Sequence, residues 1–269
     1  MNVSKGVTRI ATAFVLLPFL LALILYGSKL LFTFFILFLS VLAHIEFYTI
    51  SLNKKGRFEF IVACCIGAFL TYSVGAYDLE LFVGLVLFAL FLYLLLALAS
   101  VNKDGCSIEK VARLILGNLY VGFLMGYFIL IRDFHDGKMY ILFFLTALFA
   151  SDTGAYYGGL LLGKKGLFPK VSPGKTVEGS FCGLFFGIVL GVGFAFFFIK
   201  YWTFSQAVLF SLTIIIFGQL GDLIESLIKR AADVKDSGWI IRGHGGILDR
   251  LDSLIFSAPV FYYLLHICA

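Results

Sequence analysis

Long apolar runs, each about the length of a bilayer crossing and separated by short polar loops, make up most of this chain. A hydrocarbon core about 30 Å thick takes about 20 apolar residues in a helix. Nine runs meet that length, at about 8–27, 30–51, 58–76, 79–100, 109–131, 138–161, 176–199, 203–228 and 248–267. Backbone in lipid must satisfy its own hydrogen bonds, and within a single apolar run that means helix. The pattern predicts an all-α polytopic membrane protein with about nine transmembrane helices. Lys5 and Arg9 precede the first run as in a secretory signal. No small-x-small cleavage site follows before Lys29, so the run reads as the first membrane helix. The loops leave no room for a soluble domain, and the longest follow the sixth and eighth runs. Two parts are expected: residues 1–135, about five helices of scaffold and candidate lipid access, and residues 136–269, the helices that carry the chemistry.

Composition agrees with the pattern. The chain is 61% hydrophobic and 14% charged, against about a quarter charged for soluble domains. If the nine helices alternate, Lys29, Arg132, Lys138 and Lys200 fall on one side and the remaining 17 of the 21 basic residues on the other. Cytoplasmic loops collect Lys and Arg, so the N-terminus is expected in the cytoplasm, the C-terminus outside, and both long charged loops on the cytoplasmic face of the inner membrane. The net charge of +5 is spread over short loops and does not make a nucleic-acid surface. The five cysteines, Cys64, Cys65, Cys106, Cys182 and Cys268, lack metal-ligand spacing, and no structural disulfide is expected.

Acids inside apolar runs are costly and mark function. Two stretches hold them. In the first, Asp222, Glu225, Ser226 and Lys229 recur at i, i+3, i+4 and i+7, one face of a helix. Asp249 and Asp252 are also three apart, and between the two groups lie His244, Gly245 and Gly246. Glycines allow close backbone approach to a ligand. Carboxylates from two helix ends facing one loop could hold a hard divalent cation, and the interleaved Lys229, Arg230, Lys235, Arg242 and Arg250 suit phosphates. The second stretch crosses the sixth helix, its loop and the start of the seventh. Asp152 sits deep in an apolar run with Tyr156 one turn on, and Gly154, Gly158 and Gly159 make a thin face for close helix packing. The loop carries Lys164, Lys165, Lys170 and Lys175, and Thr176 and Glu178 open the next helix, whose N-terminus favours phosphate. Gly174-Lys175-Thr176 looks like the tail of a Walker A loop. Pro169 stands where that motif needs Gly and no strand is expected before it, so that reading is rejected.

Both stretches resemble the phosphatidate cytidylyltransferase (CDP-diglyceride synthetase) family. The first carries Ser226, Lys229, Arg230, Lys235, Asp236, His244, Gly245, Gly246, Asp249, Arg250 and Asp252 at the family's spacing, with Arg242 where Pro or Gly is usual. The second carries Ser151, Asp152, Ala155, Tyr156, Ser172, Pro173, Lys175, Thr176, Glu178 and Gly179. The resemblance is specific over the C-terminal half; the first four helices match as apolar segments. It implies that phosphatidate attacks CTP to give CDP-diacylglycerol and pyrophosphate for phospholipid synthesis. It also implies a homodimer and allows a second, monovalent cation.

For that reaction the difficulty is bringing two anions together, so positioning and charge neutralisation carry the catalysis. The expected site has Mg²⁺ on Asp222 and Asp249, with Asp252 and Glu225 as ligands or beside them. Lys229, Arg230, Lys175 and Arg250 are the candidates for the triphosphate and for phosphatidate. His244 is a candidate for phosphate contact or for capping its loop. Asp152, Tyr156, Thr176, Glu178, Ser226, Lys235, Gly245 and Gly246 complete the substrate-binding set, with Asp152 open between cytosine, ribose and metal. CTP is expected from the cytoplasm and the lipid sideways between helices. Two other classes remain: a related membrane enzyme with a different acceptor, such as a CTP-dependent polyprenol kinase or sugar-phosphate transferase, and an ion transporter. Acids confined to cytoplasmic helix ends argue against transport. Elsewhere, His44 and Glu46 read as interfacial or mutually paired, Asp78 and Glu80 as solvated, and Arg132, Asp133, His135 and Asp136 as an exposed turn. Trp202 and Trp239 read as interfacial anchors.

Overall fold

The computed structural model describes residues 17–52, 57–104, 108–238 and 245–268. Nine helices are described: α1 (Leu17–Tyr26), α2 (Lys29–Ser51), α3 (Arg57–Gly75), α4 (Leu79–Asp104), α5 (Ile108–Asp133), α6 (Gly137–Leu162), α7 (Val177–Phe198), α8 (Phe204–Ala231) and α9 (Leu248–Cys268). Eight of them, all but α1, are long and apolar enough to cross a membrane. The protein is an all-α polytopic membrane protein. The first predicted span, 8–27, lies partly outside the described residues, and its described part is α1. A short antiparallel hairpin, β1 (Gly166–Phe168) and β2 (Ser172–Thr176), joins α6 to α7. A strand therefore does precede Gly174-Lys175-Thr176, contrary to expectation. The Walker A reading still fails, because residues 172–176 are themselves extended strand rather than a phosphate-cradling loop.

The chain divides into two compact units, residues 1–130 with Asp236–Asp249, and residues 131–235 with Arg250–Ala269. The first unit thus takes in a late segment, Asp236–Asp249, that a simple division at 135/136 leaves with the C-terminal half.

In the first unit α5 is interrupted by a π-helical segment, Asn118–Phe123. A π turn disturbs the regular hydrogen-bond ladder of the helix. Here the carbonyls beside the irregularity find side-chain donors. The Tyr48 hydroxyl lies 2.9 Å from Leu114 O and 2.7 Å from Asn118 Oδ1, its one proton shared between the two acceptors, and Thr71 donates to Gly122 O at 2.9 Å. Asn118 Nδ2 donates to Tyr93 at 2.7 Å, which ties α2, α4 and α5 together through one amide. Buried polar groups need such partners, and this network places polar residues inside an otherwise apolar bundle. His44 is also in the core, fully buried, with Nδ1 2.7 Å from Ser40 O. Its ring lies against Gly67, where a Cβ would overlap it. Burial corrects the interfacial reading of His44, and its polar contact is with Ser40 rather than with Glu46.

The second unit is built on a backbone-to-backbone seam between α6 and α7. Gly179, Gly183, Gly187 and Gly191 recur every four residues and form the buried face of α7. A Cβ at Gly183 would lie 2.9 Å from Ser151 O, and one at Gly187 would lie 2.8 Å from Ala147 O. From the other side, a Cβ at Gly154 would lie 2.9 Å from Phe186 Cβ, and Gly158 leaves room for the Cys182 side chain. In lipid, where apolar burial gives no preference for a neighbouring helix, small residues gain association through close packing. At one end of this unit Tyr140 stacks on Trp202 at 5.3 Å, and Phe143, Phe210 and Phe261 surround them. Trp202 is accordingly packed into this cluster. Tyr201 donates to Asp136 at 2.9 Å and lies 2.7 Å from the Tyr140 hydroxyl. Desolvation first, then these hydrogen bonds, hold the Tyr201 phenol well above its ordinary pKa. Arg132, expected in an exposed turn, is buried. Asp133 and His135 are exposed, as are Asp78 and Glu80.

Candidate active site

The charged face of the second unit is assembled from α6, the hairpin, α8 and the start of α9. Gly221 on α8 sets the closest approach: a Cβ there would meet Asp252 O at 2.5 Å and Phe256 Cβ at 2.6 Å. Because α8 and α9 touch at this point, Asp222, the next residue on α8, comes within electrostatic reach of Asp252. Asp152, from α6, interacts with both carboxylates. Three acids from three helices therefore share one region. Lys175, Arg250 and Lys229 supply opposite charge around them.

The hairpin delivers Lys175. Its Nζ lies 2.6 Å from Asp222 Oδ2. Thr176 is the N-cap of α7, its hydroxyl accepting from Gly179 N at 3.1 Å. Glu178 accepts from Lys164 N at 3.0 Å and Lys165 N at 3.2 Å, pinning the hairpin's entry to the first turn of α7. Arg230, at the end of α8, donates Nε to Val171 O at 3.2 Å and so holds the hairpin's turn.

A cavity of about 440 Å³ opens at this face, lined among others by Asp152, Tyr156, Leu160, Leu167, Lys175, Thr176 and Asp222. Its polar residues gather with the acids, while Ala155, Tyr156, Leu160 and Leu167 give it an apolar wall. Ser180 and Gln219 line it too and are joined by hydrogen bonds, including Gln219 Nε2 to Ser180 O at 3.2 Å. Neither was picked out from the sequence. Gln219, placed three residues before Asp222 inside an apolar run, was the signal available.

The other expected site residues are placed as follows. Glu225 is fully buried and ion-paired with Lys229 one turn along α8. Ser226 is half-buried on the same helix, and Lys235 is exposed in the segment after it. His244 and Arg242 lie outside the described residues, as does Trp239. In the first unit, Asp249 opens α9 and accepts from Gly246 N at 2.9 Å and Ser237 N at 3.1 Å. Gly245 has φ +86°, and a Cβ there would lie 3.0 Å from Asp249 Oδ2. L-residues with side chains rarely adopt that conformation, so glycine is needed where the loop turns onto the acid. Gly246 in turn packs against Ser237 and Glu46.

Among the described residues, no three His, Cys, Asp or Glu side chains stand close enough together to hold a metal ion as placed. The donor chemistry is nonetheless that of a hard cation: Asp152, Asp222 and Asp252 offer carboxylate oxygen alone, and such ligands suit Mg²⁺.

Residues 7–268 match the cytidylyltransferase family. The phosphatidate cytidylyltransferase of Bacillus subtilis (strain 168) is 42% identical over 179 residues, covering 66% of this chain and 66% of that protein. Phosphatidate cytidylyltransferases of Staphylococcus haemolyticus (strain JCSC1435) and Staphylococcus saprophyticus subsp. saprophyticus are 40% identical over 173 residues and 42% over 178, each covering 64% of this chain and 66% of the relative. The matched segment thus spans about two thirds of the length of these relatives. With the match to the family running over nearly its whole length, the chain belongs to the cytidylyltransferase family.

Proposed function

We propose that this protein transfers the cytidylyl group of CTP to phosphatidate, making CDP-diacylglycerol and pyrophosphate at the cytoplasmic face of the inner membrane. The observation that carries the reading is the gathering of Asp152, Asp222 and Lys175 at a cavity that also has an apolar wall, with Asp252 in electrostatic reach of both acids. That combination suits one charged, water-borne reactant and one lipid-anchored reactant. The names of the relatives favour CTP and phosphatidate as the pair.

In the reaction a phosphatidate oxygen forms a bond to the α-phosphorus of CTP. The bond from that phosphorus to the α,β-bridging oxygen breaks, and pyrophosphate leaves with the electron pair. The lipid phosphate is largely ionised near neutral pH, so no strong base is required. Lys175 and Arg250 bind phosphate oxygens and offset the repulsion between the two anions. Lys175 is held against Asp222, and triphosphate oxygens can take over its ammonium group. The Glu225–Lys229 pair fixes the next turn of α8 beneath the site. Tyr156, Leu160 and Leu167 accept the apolar part of the lipid, whose tails leave the bilayer only at high cost. Asp222 and Asp252, with Asp152 beside them, would hold Mg²⁺, which when bound neutralises phosphate charge and polarises the α-phosphorus.

The test is transfer of label from CTP into chloroform-soluble lipid by the purified full chain. Asp222→Asn and Asp252→Asn are expected to lower that rate by about a hundredfold or more while the protein still purifies as a folded, monodisperse species. Wild-type rates in both variants would overturn the assignment. Transfer to polyprenol or a sugar phosphate instead of phosphatidate would move the protein to a neighbouring activity.

A further inference from the structure

Glu46 lies far from both charged stretches in sequence, yet its carboxylate is buried against the start of α9. Oε2 accepts from Leu248 N at 2.8 Å and from Ser237 Oγ at 3.1 Å. Leu248 is the first residue of α9, the helix that carries Asp249, Arg250 and Asp252. Glu46 is 3% exposed, and two glycines close around it. A Cβ at Gly238 would lie 2.7 Å from its carboxyl carbon, and one at Gly246 would lie 2.9 Å from the same atom. Ser237 completes the arrangement: its N–H donates to Asp249 while its hydroxyl joins Glu46. A helix start leaves N–H groups unsatisfied, and a buried acceptor oxygen satisfies one of them here. The cap here comes from a side chain about 200 residues away on α2, where a local Ser, Thr, Asp or Asn is usual.

We infer that Glu46 is a positioning residue for the transfer reaction: it fixes the first turn of α9, and through Ser237 the orientation of the Asp249 carboxylate, without touching either substrate. The inference rests on the function proposed above, because it assigns catalytic weight to the start of α9. Geometry, rather than charge, is what Glu46 supplies. Gln keeps an acceptor oxygen at the same reach, Asp is one methylene too short, and Ala removes the acceptor.

The experiment compares E46A, E46D and E46Q with wild type in the full-length purified protein. It reads steady-state kinetics with CTP and phosphatidate, and amide hydrogen exchange along the backbone. In E46A and E46D, kcat is expected to fall roughly 10- to 100-fold with KM for CTP within about threefold of wild type. Exchange at 246–252 should accelerate about tenfold, with α6 and α7 unchanged. E46Q should restore both quantities to within about threefold. Three results would overturn the inference: E46A with wild-type kcat, E46A with unchanged exchange at 246–252, or acceleration spread over the whole protein. An E46Q variant that is inactive although 246–252 stays protected would overturn it as well, because charge would then be the requirement. Failure of the function proposed above would show separately, as absence of lipid product from wild type, and the exchange comparison would still report on Glu46.

Discussion

Lys175 Nζ and Asp222 Oδ2 are 2.6 Å apart, joining the β-hairpin to the middle of the charged face of α8. Both side chains are partly exposed, so the pair contributes little to stability: such pairs are worth about 0–1 kcal/mol. Its consequence is placement. Lys175→Ala should leave the thermal midpoint within about 2–4 °C of wild type and reduce transfer from CTP by about a hundredfold. Lys175→Arg, which keeps the charge with a different reach, should recover part of the loss. A Lys175→Ala protein with full activity would show that the ion pair is structural.

The α6–α7 seam makes a second prediction. Gly183→Val puts methyl groups where Ser151 O and the Ala155 side chain already are, both about as close as 3 Å to a bare Cβ. Overpacking of this kind costs about 1–3 kcal/mol, and the thermal midpoint in detergent should drop accordingly. Gly193 is on the same helix in open space, with nothing within 4 Å of where a Cβ would sit. Gly193→Ala should therefore be neutral or raise the midpoint, since Ala is the better helix former by about 1 kcal/mol.

Glu178 tests the hairpin's anchorage. Its carboxylate accepts the main-chain N–H groups of Lys164 and Lys165, and without it the entry to β1 has lost those two acceptor contacts. Glu178→Ala should speed trypsin cleavage at Lys164, Lys165 and Lys170 severalfold and lower transfer activity, because Lys175 rides on the same hairpin. Unchanged cleavage kinetics would mean that the remaining contacts, Val177 N to Lys165 O, the strand pairing and Arg230 through Val171 O, hold the segment without Glu178.

Gly245 supplies the last prediction. Its φ of +86° and the 3.0 Å approach of Asp249 Oδ2 both oppose a side chain. A left-handed conformation costs an L-residue about 1–2 kcal/mol. Gly245→Ala should slow transfer more than it lowers the thermal midpoint, because the strain falls on the Asp249 carboxylate. A variant with wild-type kcat would show that the loop relaxes without moving the acid.

The membrane class and the placement of the spans follow from the sequence alone, because a bilayer imposes a fixed length of apolar helix. The expected sidedness of the loops rests on sequence too, through the charge bias at the two faces. The motif residues Asp152, Lys175, Asp222 and Asp252 were legible for a related reason: charge inside or beside an apolar run stands out. Helical periodicity relates residues on one helix, such as Glu225 and Lys229. It carries no information about the separation of residues on different helices. Which acids meet was therefore decided by tertiary packing. Gly221 lets α8 and α9 touch, bringing Asp222 towards Asp252, and the glycine seam of α6 and α7 brings in Asp152. That Asp249 spends hydrogen bonds on Ser237 and Gly246, and that Glu46 caps α9 from α2, could not be read from spacing. Both depend on a late segment of chain folding back into the first unit, and contacts across some 200 residues leave no periodic trace in the sequence.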